Sequence, residues 1–221
     1  MDRVIILGAS RGFGAELVKH ISLTGGCPTV GFGRKDAPLK ALREQFPLFE
    51  YRITDFSKST GQDEAIRFLL EENYSKVICV AGGGPFGPFQ ERAMKDHQWA
   101  WEVTYHFQAR LIHAMLVAGK RDEQLILVGS AVAESQPDPL AASYCAAKHA
   151  LKGLVTSVRL ENPGWDIRLF SPGYMDTELL PPNAAVRQLG VYSPADMARD
   201  LWLWSLSTDN TGHKVYPKHP S

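Results

Sequence analysis

Tyr144 and Lys148 stand four residues apart in the run Ser143-Tyr144-Cys145-Ala146-Ala147-Lys148, the spacing that sets two side chains on one face of a helix. An isolated tyrosine titrates near ~10 and exchanges protons poorly near neutrality. A neighbouring ammonium favours the phenolate and lowers that value, toward the range in which a general acid or base works best. On this reasoning Lys148 tunes Tyr144. Ser130, fourteen residues upstream, offers a hydroxyl that can hold a substrate oxygen while Tyr144 gives or takes the proton. Taken alone, such a pair is a common accident and reads first as a core-edge tyrosine and a surface lysine on an amphipathic helix.

A second motif turns the balance. Gly8-Ala9-Ser10-Arg11-Gly12-Phe13-Gly14 follows the apolar run Arg3-Val4-Ile5-Ile6-Leu7 and precedes Ala15-Glu16-Leu17-Val18-Lys19-His20-Ile21, which has helical spacing. In a strand–loop–helix context, glycines let the backbone turn tightly and let a pyrophosphate approach, and the helix N-terminus supplies free N–H groups and positive dipole. A tight turn without a ligand is the alternative. In dinucleotide folds an acidic residue about 20 residues past the loop takes the ribose 2′-hydroxyl. Here that position is Arg34, followed by Lys35. A guanidinium there suits a 2′-phosphate, and Arg11 can reach the same group. The cofactor expected is therefore NADP(H) in preference to NAD(H), which would instead be held through Asp36.

The elements that must position these residues alternate. Strands are expected at Arg3–Leu7, Pro28–Phe32, Phe49–Ile53, Lys76–Val80, Gln124–Val128 and Trp165–Phe170, with a short last one at Lys214–Tyr216. Helices are expected after the glycine loop, through Leu39–Leu42, near Glu64–Glu72, over roughly Asp96–Gly119, around Tyr144 and Lys148, and from about Pro194 to Leu206. Alternation of this kind calls for a doubly wound, Rossmann-type parallel sheet with helices on both faces. With 221 residues and no linker or repeat, a single domain over 1–221 is the economical reading. Ser130 then falls at a strand end, where α/β sheets place ligands.

Composition narrows the class. Lys plus Arg equals Asp plus Glu at 24 each, which argues against a general nucleic-acid or anionic-membrane binder. No apolar run approaches the ~20 residues of a membrane span, and the first strand begins too near Met1 for a signal peptide. Cys27, Cys79 and Cys145 are scattered and lack metal-binding spacing, so no metal and a cytoplasmic location are expected.

Together these residues resemble the short-chain dehydrogenase/reductase family over nearly the whole chain. Gly8, Gly12 and Gly14 match its cofactor loop, in which Ser10, Arg11 and Phe13 also lie. Asp55 falls where the family has an aspartate near the adenine. Val80-Ala81-Gly82 is similar to its Asn-Ala-Gly turn, with Val80 in place of asparagine. Ser130, Tyr144 and Lys148 match its catalytic trio, and Pro172-Gly173 with Thr177 resembles the segment flanking the nicotinamide. The resemblance implies that Lys148 also holds the nicotinamide ribose and that Tyr144 is the acid in reduction. It further implies a small carbonyl or alcohol substrate and a homodimer or homotetramer. Many members carry an asparagine in the long helix that anchors a relay water. Here His106 falls at or near that position, with Thr104 the second register and a packing histidine the alternative.

Two stretches depart from the family. Glu178–Tyr192 is short for a substrate lid, and the tail reads Tyr216-Pro217-Lys218-His219-Pro220 instead of ending in Asp-Gly-Gly. Trp99, Trp101, Trp202 and Trp204 read as interface anchors or core, and Phe86 and Phe89 as the substrate mouth or an ordinary loop. Three functions remain: an NADP(H)-dependent oxidoreductase, an NADP-binding regulatory or interaction protein with lost or weak catalysis, and an epimerase or dehydratase on a related fold, for which the C-terminal part is short.

Overall fold

In the computed structural model, which describes residues 3–208 and 212–220, seven parallel strands form one sheet in the order β3-β2-β1-β4-β5-β6-β7. The strands are β1 (Val4–Leu7), β2 (Thr29–Gly33), β3 (Phe49–Ile53), β4 (Lys76–Cys79), β5 (Gln124–Val128), β6 (Ile167–Ser171) and β7 (His213–Val215). The helices are α1 (Gly12–Thr24), α2 (Asp36–Gln45), α3 (Ser59–Glu71), α4 (Met94–Trp101), α5 (Phe107–Val117), α6 (Ala142–Glu161) and α7 (Pro194–Leu206).

The strand sequences explain the layering. β1 is apolar at every position and buried throughout, as a strand covered on both faces must be. Successive side chains alternate between faces. Val4 and Ile6 join a core with Leu17 and Val18 of α1, Leu39 of α2 and Leu201 of α7. Ile5 and Leu7 join the opposite core with Leu69 of α3, Phe107 of α5 and Leu151 of α6. Trp202 and Trp204 are buried in the first of these cores, so they pack the interior.

At the N-terminal end of the sheet, buried cations close α7. Arg168 donates to Trp204 O (2.6 Å) and Ser207 O (3.0 Å), and Lys76 to Ser205 O (2.9 Å). These contacts satisfy carbonyls that a helix C-terminus leaves unpaired.

Strand order reverses at β1, which pairs with β2 on one side and β4 on the other. The crevice beyond the C-terminal ends of β1 and β4 is where such sheets bind ligands. The observed strands lie within a residue or two of the expected ones. The larger difference lies in the long helix. Between α4 and α5 the residues Glu102–His106 form a π-helical turn, and that extra width changes which side chains face inward.

Candidate active site

One cleft runs along the C-terminal edge of the sheet, lined by Gly8, Arg11, Arg34, Asp55, Ser130 and Tyr144 among others. Its floor is the glycine loop. Gly8 has φ +104°, and a Cβ there would stand 2.7 Å from Ala81 N, so only glycine lets β1 and the turn after β4 close together. A Cβ at Gly14 would stand 2.0 Å from Gly8 O. Gly14 thus seats α1 on the loop and does not itself line the cleft. Arg11, the N-cap of α1, makes no side-chain capping bond, and the first turn has no acidic residue. Bare N–H groups and an unopposed dipole fit a phosphate group. The cradle therefore fits a dinucleotide.

The far end of this cleft carries the expected charges. Arg34 is exposed, with its guanidinium 5.5 Å from the centre of the Trp99 ring. Arg11 pairs with Glu178 at 2.5 Å. Asp36 lies outside the lining and accepts the Tyr51 hydroxyl at 3.1 Å. Burial raises the Asp55 pKa, but hydrogen bonds from the Ser57 N–H and hydroxyl outweigh it and hold the carboxyl below its usual value.

At the other end, β5 delivers Ser130 and the first two turns of α6 deliver Tyr144 and Lys148. The Ser130 side chain acts on the Tyr144 hydroxyl, favouring its ionised form, and its own oxygen accepts from Val132 N–H at 3.4 Å. Lys148 donates to Val128 O at 2.5 Å, with its ammonium 5.6 Å from the centre of the Tyr144 ring. A Cβ at Gly82 would lie 3.3 Å from Lys148 Nζ, so the turn after β4 must be small here. Burial pushes the Tyr144 pKa up to about 12, with the Ser130 side chain pulling against it, and burial lowers Lys148 to about 8. This differs from the expectation that Lys148 brings Tyr144 down. Lys148 is spent on the Val128 carbonyl, and burial is the largest influence on the tyrosine. Pro172, Gly173 and Thr177 follow β6 and line the cleft, with Pro172 O accepting from Ala131 N–H beside Ser130 at 2.8 Å. Thr177 Cγ2 lies 3.3 Å from a Cβ built on Gly12, so the segment crosses over the glycine loop.

His106 is not brought to this cleft. It lies outside the lining, and its Nδ1 contacts Glu102 Oε2 at 2.8 Å on the outer side of the helix. The π turn rotates Thr104 inward instead. Thr104 is fully buried, accepts from Gly83 N and donates to Gly83 O, both at 2.9 Å. Gln108 Nε2 bridges Thr104 O and Ala81 O at 3.0 Å each. The turn after β4 is thereby clamped where Lys148 meets it.

These features sit where the family comparison also points. The family model for short chain dehydrogenases matches residues 2–187. The chain belongs to the short-chain dehydrogenase family. The cyclic-di-GMP-binding biofilm dispersal mediator protein of Escherichia coli (strain K12) is 27% identical over 193 residues, covering 84% of this chain and 78% of the relative. The dehydrogenase/reductase SDR family protein 7-like of Dictyostelium discoideum is 27% identical over 194 residues, covering 79% of this chain and only 59% of the relative. An alcohol dehydrogenase from the archaeon Thermococcus sibiricus, solved with 5-hydroxy-NADP, shares the fold at a TM-score of 0.85 and 22% identity, covering 100% of this chain and 99% of that one.

This short-chain dehydrogenase cleft has further lining residues, of which the sequence offers Phe86 as substrate mouth but does not place Trp99, Asp138 or Tyr174 there. Trp99, read as interface or core, lines the cleft between Arg34 and Gly83; Trp101 faces outward, 42% exposed. Phe86 lines the cleft, whereas Phe89 is 53% exposed and stacks on His97. Asp138, Tyr174 and Leu179 also line it. The short lid is held by Arg187, which reaches Asp176 Oδ1 (2.5 Å), Thr177 O (3.1 Å), Leu180 O (2.7 Å) and Pro181 O (2.9 Å). Among the described residues no helix is long and apolar enough to cross a membrane, and no group of three or more His, Cys, Asp or Glu could hold a metal ion.

Proposed function

We propose that this protein is an NADP(H)-dependent carbonyl reductase, able to run in reverse as an alcohol dehydrogenase. The observation that carries this reading is the convergence of Ser130, Tyr144 and Lys148 at one end of a cleft whose other end is an uncapped glycine-loop helix. The N–H groups of α1 bind the pyrophosphate, Arg34 and Arg11 the 2′-phosphate, and Asp55 faces the adenine. Lys148 binds the nicotinamide ribose, with Pro172, Gly173 and Thr177 against the ring.

NADPH held in this cleft would supply a hydride to the carbonyl carbon. Ser130 donates to the carbonyl oxygen and fixes its orientation. Tyr144 transfers its proton to that oxygen as negative charge develops there, so the product is the alcohol. Raised by burial, the tyrosine stays protonated and ready to donate at neutral pH. Lys148, titrating near 8, is the adjacent proton store that resupplies it. Thr104 keeps Gly83 in place and takes no proton.

The test is isotopic. With NADPH deuterated at its transferable C4 position and a panel of aldehydes and ketones, the label should appear on the carbinol carbon of the product. Label remaining in the nucleotide, with no alcohol formed, rejects the reading. A second reading is favoured by the similarity to the relative named for binding cyclic di-GMP: a regulatory protein whose cleft takes a nucleotide without turnover. It predicts that cyclic di-GMP displaces NADPH, and the intact Ser130, Tyr144 and Lys148 set opposes it.

A further inference from the structure

The C-terminal tail, unusual in sequence, returns to the substrate end of the cleft. Tyr174 N–H donates to Lys218 O at 2.8 Å, and a Cβ at Gly173 would stand 2.2 Å from Pro217 O. The tail therefore lies directly on the loop after β6. His219 Nδ1 contacts Gly190 O at 2.8 Å, and the Tyr192 hydroxyl donates to His219 O at 3.2 Å. These contacts staple that loop to the end of the lid.

Lys218 also ion-pairs with Asp138 at 3.1 Å, and the Tyr174 hydroxyl donates to the same Asp138 oxygen. Asp138 and Tyr174 line the cleft. Next to them, Phe86, Val132, Ala141, Cys145 and Tyr174 pack with Tyr144 as one small apolar cluster.

The distribution of charge in the cleft is then informative. Arg34 and Asp55 belong to its glycine-loop end, Arg11 and Glu178 pair with each other, and Lys148 is under Tyr144. Asp138 is the remaining charged lining residue and the one beside the apolar cluster, and Lys218 already neutralises it. An anionic substrate would find no unpaired cation at this wall. A cationic one would find that carboxylate already taken. A flat uncharged group would meet aromatic and aliphatic walls that favour its burial.

We propose that the tail, through Lys218, holds Asp138 as a neutralised wall and so restricts the substrate compartment to uncharged, flat apolar carbonyl compounds such as aryl ketones and aryl diketones. This rests on the reductase reading for the chemistry, but the wall can be tested by binding alone. The probes are three compounds of similar size: neutral 1-phenylpropane-1,2-dione, anionic phenylglyoxylate and cationic phenacylamine. Their affinities are measured by calorimetry on protein saturated with NADP+, for the wild type, Lys218→Met and Lys218→Arg, with NADPH affinity as the folding control.

The wild type should bind the dione at least tenfold more tightly than either ion. Lys218→Met should reverse the order of dione and phenacylamine, because Asp138 loses its cation and keeps only the neutral Tyr174 hydroxyl, while NADPH affinity stays within twofold. Lys218→Arg should keep the wild-type order. Equal or tighter wild-type binding of phenylglyoxylate, an unchanged order in Lys218→Met, or no binding of any probe would overturn the proposal. Dione binding in the expected order without NADPH oxidation would reject the reductase reading and leave the wall standing. NADPH oxidation with phenylglyoxylate preferred would do the reverse.

Discussion

Glu178→Gln should tighten NADPH binding more than NADH binding. Arg11, at the mouth of the cofactor cleft, is paired with Glu178 at 2.5 Å, and the two side chains are 43% and 66% exposed. In the proposed complex Arg11 turns to the 2′-phosphate, so Glu178 is an internal carboxylate competing with the ligand for one guanidinium. A solvent-exposed pair of this kind is worth about 0.2–1 kcal/mol, which corresponds to about 1.4- to 5-fold in affinity. NADH has no 2′-phosphate and does not require Arg11 to let go, so its Kd should change less. The difference should shrink as salt rises, because screening at 1 M acts over only ~3 Å. Fluorescence titration with both nucleotides at low and high salt reads all of this, with Trp99 in the cleft as a reporter. Equal tightening for the two nucleotides, or weaker NADPH binding in the variant, would refute the reasoning.

Other outcomes follow from the same geometry. Arg34→Asp should shift preference from NADPH toward NADH in competitive titrations; an unchanged ratio would remove Arg34 from 2′-phosphate recognition. Lys148, lowered to about 8 by burial, is an ammonium below that pH and neutral above it. Reductive kcat/KM should therefore be flat up to about pH 8 and fall beyond it, and a flat profile through pH 10 would contradict Lys148 as the proton store. Thr104→Val leaves the Gly83 N–H buried without its partner, a loss of about 1–3 kcal/mol visible as a lower Tm with reduced kcat. His106→Asn should leave both turnover and the pH profile unchanged, and a lost turnover would restore His106 to the mechanism.

The parts of the molecule legible in sequence are those where a local pattern carries the physics. β1, and β5 after its first residue Gln124, are continuous apolar runs, and a strand buried on both faces has to look that way. The glycine loop, Ser130, Tyr144 and Lys148 are local motifs on those elements, and the cleft brings them together. His106 came from matching the family pattern along the long helix, with Thr104 as the second register, and the structure turns His106 away from the cleft. The π turn over Glu102–His106, for which the sequence has no clear signal, brings the second register, Thr104, against Gly83, where one small hydroxyl satisfies both polar groups of that residue. The shift expected at Tyr144 failed because sequence places the ammonium but not the depth of burial. Trp99, Asp138, Tyr174 and Lys218 act through contacts between residues far apart in the chain. Lys218 lies 80 positions from Asp138, a distance no motif spans.

The central claim is that Tyr144 gives a proton to a carbonyl oxygen as hydride reaches the carbon. NADPH oxidation by the wild type over a panel of aldehydes and ketones, with Tyr144→Phe run in parallel and NADPH affinity measured for both, tests it most directly. The account predicts turnover in the wild type, loss of at least a hundredfold in Tyr144→Phe, in line with the ~10²–10⁴ that a positioned acid contributes, and nearly equal NADPH affinities. Turnover retained in Tyr144→Phe, or NADPH bound by the wild type without oxidation on any carbonyl, would contradict it.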